Sequence, residues 1–110
     1  MKKRPFNFFQ DIPKALSEEL VEKVLSTSAV RIERIISNGQ SSPQGFWYDQ
    51  DEHERVVVLS GQALIELEGH KELINLVPGD SLHLPAHTKH RIESTALLQT
   101  TIWLAVFWPS

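Results

Sequence analysis

The chemistry-bearing part of this chain is crowded into "FWYDQDEHERVVVLSG", Phe46 to Gly61, where four carboxylates and one histidine precede a β-branched run. Asp49, Asp51, Glu52, His53 and Glu54 either grip a cation or form the solvated lip of a small β-barrel. Carboxylate and imidazole together also provide general acid and base groups. Further along, His87 and His90 stand three residues apart. His70 and His83 read as surface or edge residues. For Asp49, Asp51 and Glu52 a solvated acidic loop is the better description.

The sequence bounds what else is available. A chain of 110 residues fits one domain with one core. It contains no cysteine, which excludes disulfides, thiolate metal sites and a cysteine nucleophile. Net charge is −3, and the only basic cluster is Lys2-Lys3-Arg4, so nucleic acid is not an expected partner. Neither a secretory leader nor a membrane-spanning apolar run is visible, and a cytoplasmic location is the expectation.

The positioning elements read as β. One short helix is expected after Ser17 as N-cap, with Leu20, Val21, Val24 and Leu25 at helical spacing. From Val30 the period becomes two, slipping at Arg34, where a bulge is expected. Then come "ERVVVLS", "ALIELEG", "ELINLVPGD", "SLHLPAH", "HRIESTA" and "TIWLAVFW", each ended by Gly, Pro or polar residues. Val77-Pro78-Gly79-Asp80 fits a type II turn. Short strands at such intervals mean an all-β sandwich or barrel. Several are apolar on both faces, so something covers the outer one. The N-terminal helix and a second subunit are the expected covers. A homodimer is favoured because Trp103, Phe107 and Trp108 exceed what a short helix hides, although the same aromatics could fill a core.

The run from Gly45 to Trp108 resembles the cupin superfamily. That family's second motif is Gly, five residues, Pro, one residue, Gly, two residues, His, three residues, Asn. Gly79, Pro85 and His90 match it, while His87 replaces the glycine and Ser94 the asparagine. The first motif is partial. Six residues separate Glu54 from Gly61, as its closing half requires. The His-x-His places then fall on Tyr48 and Gln50, or on Trp47 and Asp49 with a longer gap. Anchored on Gly45 instead, they fall on Asp51 and His53. A hairpin glycine fixes which side chains point inward, which favours the closing register. It puts Glu54, Val56 and Val58 on the inner face, joined under strict alternation by Tyr48, Gln50 and Glu52.

The resemblance implies a double-stranded β-helix (jelly-roll) barrel over 45–110, with 1–44 contributing a helix and strand laid on it. It also implies a cavity holding Fe, Mn, Ni or Zn and acting on a small polar molecule. His90, Glu54, Gln50 and His87 are the expected metal ligands, with His53 and Asp51 in reserve. Glu54 and Tyr48 are the expected proton-transfer groups. Trp47, Tyr48 and Trp103 are the expected walls for substrate. The two functional classes open at this point are a metal-assisted dioxygenase, isomerase or lyase, and a metal-free module binding a sugar or acid.

Overall fold

The computed structural model describes residues 4–110, and no helix occurs among them. Eight strands follow in order: β1 (Leu20–Ser26), β2 (Arg31–Ser37), β3 (Glu52–Ser60), β4 (Ala63–Leu67), β5 (Ile74–Leu76), β6 (Ser81–Leu84), β7 (His90–Thr95) and β8 (Thr101–Pro109). They form a five-stranded sheet in the order β1-β2-β8-β3-β6 and a three-stranded sheet in the order β5-β4-β7. Every named pairing is antiparallel.

The core lies between the sheets. Val56 and Val58 of β3 and Trp103, Ala105 and Phe107 of β8 face Ala63, Ile65 and Leu76 of the smaller sheet. Strict alternation puts these side chains on one face of each strand. The hairpin from β3 to β4 turns on Gly61 at φ 91°, where a Cβ would lie 2.5 Å from the Thr101 Cα. That glycine is therefore a steric requirement, and it sets the inward face of β3 as Glu54, Val56 and Val58. The Val77–Asp80 turn forms as its sequence suggests. Gly79 sits at φ 94°, and the Asp80 amide donates to the Val77 carbonyl at 2.9 Å.

Two expectations about the N-terminal third fail. The segment expected to be a helix is β1, an edge strand paired along β2 from Leu20↔Ile36 to Ser26↔Arg31. A lone short helix carries an unrecovered nucleation cost, whereas pairing satisfies the edge of β2 at once. The bulge also lies elsewhere. β2 runs unbroken against β8, and the register shift is in β1 between Lys23 and Leu25. Ile35-Ile36 needs no bulge, because each face of β2 is covered. Ile35 packs against the core, and Ile36 is wholly buried on the other side.

That other side also holds Arg34, only 2% exposed. Its guanidinium pairs with Glu22 at 2.6 Å and donates to the backbone carbonyls of Asn7, Phe8 and Gln10. The Phe6 ring lies 4.9 Å from it. A buried arginine is tolerable only with partners of this kind, and here they come from β1 and the N-terminal segment.

Candidate functional site

Between the sheets lies a cavity of about 180 Å³. An engineered apolar cavity of about 150 Å³ takes benzene, so the space suits a molecule built around one small ring. Tyr48, Gln50, Glu54 and His90 all line it. The first three are places of the closing register and His90 belongs to the second motif, and the structure brings the four together. Glu54 arrives on β3 and His90 on β7. Tyr48 and Gln50 precede β3 and are held by a backbone bridge in which Tyr48 and His90 exchange N–H···O bonds of 2.7 and 3.1 Å.

His90 is 5% exposed. Its Nδ1 lies 2.9 Å from the Thr88 carbonyl, which can only accept, so Nδ1 carries the proton. Nε2 is left with a free lone pair, 3.9 Å from Glu54 Oε1. Burial pushes the His90 pKa below its ordinary value, against the Thr88 hydrogen bond, and the ring stays neutral. Tyr48 stacks on it, centroids 5.3 Å apart and planes 21° apart. Gln50 Nε2 donates to Glu54 Oε1 at 3.1 Å. Burial raises the Glu54 pKa from 4.5 to about 7, with the Gln50 hydrogen bond opposing the rise. Burial, together with Glu19 and Glu54, likewise raises Tyr48. The arrangement sets a carboxyl that retains its proton into the neutral range opposite an imidazole that can accept one.

Two acidic lining residues, Glu19 and Glu33, carry no mark in the chain that foretells their place. Glu33 is paired with Arg31 at 2.9 Å. Glu19 accepts from the Ser37 hydroxyl, which itself accepts from the Trp103 indole N–H at 3.0 Å. Trp103 is buried in the wall and is joined there by Phe107.

Other expected site residues lie elsewhere. Trp47 alternates outward from Tyr48 and lines a surface cleft with Arg91, Glu66 and Glu93. His87 occupies the left-handed region, φ 63°, at the place where the cupin motif has glycine. There it is mostly exposed, with Nδ1 2.9 Å from Asp49 Oδ1 on the rim. The reserve pair is outside as well. Asp51 is exposed, and His53 Nδ1 accepts from the Ala86 amide, its ring tilted against His83 and Trp108. Strand parity explains the outward placing of His53, since odd residues of β3 face away from the cavity.

With two family imidazole places occupied by a phenol and an amide, the firm metal donors are His90 and Glu54 alone. Among the described residues no three His, Cys, Asp or Glu side chains gather in ion-holding geometry. Protein sites usually supply three or more ligands. The donor set does not fit a firmly held divalent ion.

A candidate mannose-6-phosphate isomerase of Ralstonia eutropha JMP134 is 44% identical, with TM-score 0.95 over 98% of this chain and 100% of that one. A cupin superfamily protein of Desulfitobacterium hafniense DCB-2 matches at 22% identity and TM-score 0.78, covering 100% and 94%. An RmlC-like cupin family protein of Methanocaldococcus jannaschii, described as a double-stranded β-helix, matches at 20% and 0.71, covering 99% and 93%. This chain belongs to the cupin superfamily. Its two antiparallel sheets are the cupin double-stranded β-helix, and the two more distant likenesses speak to that fold alone. No family model and no curated protein matches the sequence. No helix among the described residues is long and apolar enough to cross a membrane.

Proposed function

We propose that this cupin binds a small, ring-sized polar molecule in its barrel cavity without a resident metal, and that Glu54 and His90 form a proton-transfer pair across it. One observation carries this: a buried His90 whose Nε2 faces the Glu54 carboxyl across 3.9 Å inside the cavity. The two groups are poised oppositely. Glu54 can give a proton to a ligand oxygen or nitrogen, and Nε2 can take one from the same ligand. Tyr48, Trp103 and Phe107 provide the apolar wall, and Gln50 orients Glu54. The isomerase description belongs to the Ralstonia protein. No described residue lining this cavity is Lys or Arg, so a phosphate would meet no cation there. The proposal also takes the chain as a homodimer. Val57, Leu104, Val106 and Trp108 face outward, only half-buried, on the large sheet. Trp103 and Phe107, expected at that surface from the sequence, belong to the core.

The test is metal analysis of purified protein, with mass spectrometry of any co-purifying small molecule. Glu54→Ala and His90→Ala serve as controls. The expected result is Fe, Mn, Ni and Zn far below one equivalent, and a small molecule retained by the wild type but lost from both variants. Stoichiometric metal that disappears in both variants would replace this proposal with a metal centre.

A further inference from the structure

Resting on the ligand-binding cavity proposed above, we infer that its ligand is a small organic ammonium, selected over neutral and anionic molecules of the same shape. The polar lining is almost entirely made of acceptors. Glu19, Glu33 and Glu54 contribute carboxylate oxygens, and His90 contributes a bare Nε2. The Gln50 amide donor is already directed at Glu54. The Tyr48 hydroxyl is a donor left, as is the acid proton of Glu54 while that group is protonated, and a cation beside Glu54 favours its ionised, accepting form. A ligand matching such a lining should bring donors of its own, and a primary ammonium brings three and accepts nothing.

The charge balance points the same way. No Lys or Arg lines the cavity among the described residues. Arg31, the guanidinium beside it, is committed to Glu33 and Glu52 at 2.9 and 2.8 Å. Among the described residues Glu19 takes only the neutral Ser37 hydroxyl, with no cation paired to it. An anion would be repelled at close range in a poorly solvated space, while a cation would be attracted. The aromatic rings add to this. Tyr48, Trp103 and Phe107 line the same space, and ring faces attract cations within about 6 Å. The Phe107 ring already holds the Arg31 guanidinium at 4.1 Å. The side chain of His90 is 6% exposed, and Nε2 has no hydrogen-bond partner among the described residues. That unfilled acceptor, aimed inward, is the most direct mark of a donor ligand.

The experiment is calorimetric titration at neutral pH with benzylamine, benzyl alcohol and benzoate, three probes of one shape and different charge. Benzylamine is expected to bind at one site per chain at least tenfold more tightly than benzyl alcohol, with benzoate weaker than both. In Glu54→Gln, an isosteric change, the preference for benzylamine over benzyl alcohol is expected to shrink severalfold, which places binding in this cavity and not on the acidic surface. Equal binding of benzylamine and benzyl alcohol overturns the inference and leaves the cavity proposal standing. Tighter binding of benzoate overturns it as well, as does a Glu54→Gln variant with an unaltered preference. If none of the three binds, the ammonium class is overturned, and the co-purification test alone decides the fate of the cavity proposal.

Discussion

Glu54 is a carboxyl group stripped of most of its water, and that has a price in stability that can be measured. Its pKa rises from 4.5 to about 7 on folding, so the folded state holds a proton that the unfolded chain releases. The resulting stabilisation is complete below pH 4.5 and is lost as pH rises through about 7. At about 1.4 kcal/mol per pKa unit the loss amounts to about 3 kcal/mol. His90 works in the opposite sense. Its folded pKa is depressed, so its contribution is present above the ordinary histidine value and is lost as pH falls through the lower folded one. Denaturant unfolding of wild type and Glu54→Gln across pH 4.5 to 7 separates the two, because the His90 contribution is common to both proteins and cancels. The wild type should fall relative to the variant by about 3 kcal/mol over that range. Parallel curves would mean that Glu54 is solvated. Much of this site could be read in the chain. Glu54, Gln50 and Tyr48 follow from Gly61 by parity, and His90 follows from Gly79 and Pro85. Glu19 could not. Its place is set by Ser37, 18 residues away, and nothing local marks that contact.

The strands that follow Gly45 were legible because each carries two independent marks, an apolar run and a turn residue that ends it. Leu20 to Leu25 has only the first mark, and there it misleads. Leu20, Val21, Val24 and Leu25 imitate a helical stripe because the shift between Lys23 and Leu25 disturbs the period-two pattern of β1. Trp47 was misplaced for the converse reason. It and Tyr48 are neighbours of similar chemistry, and alternation sends them to opposite sides of the wall. The element most exposed to a single change is the β3–β4 hairpin. Gly61→Ala adds a Cβ at φ 91° and within 2.5 Å of the Thr101 backbone. Unfolding midpoints should show a loss of at least about 2 kcal/mol. A neutral result would mean that the hairpin can move away from β8.

At the scale of the molecule, the large sheet has an outer face that is sealed at one end and half-open at the other. Toward the N-terminal segment, Ile36, Ile102 and Arg34 are buried. Toward Trp108, whose ring stacks on His83 with planes 10° apart, the side chains are only half-covered. That open end is where the proposed second chain sits. Light scattering should return the mass of two chains for the wild type and of one for Leu104→Lys, which puts a charge into the middle of the contact. A single-chain mass for the wild type would remove the dimer from the proposal.

The sealed end has a lopsided tolerance to mutation. Arg34 grips residues 7, 8 and 10 by their main-chain oxygens, an attachment available whatever side chains stand there. Drift in the gripped stretch therefore costs little at this fastening, while position 34 admits no substitute. Lysine would bring one point of contact where a planar fork now spans three carbonyls and a carboxylate.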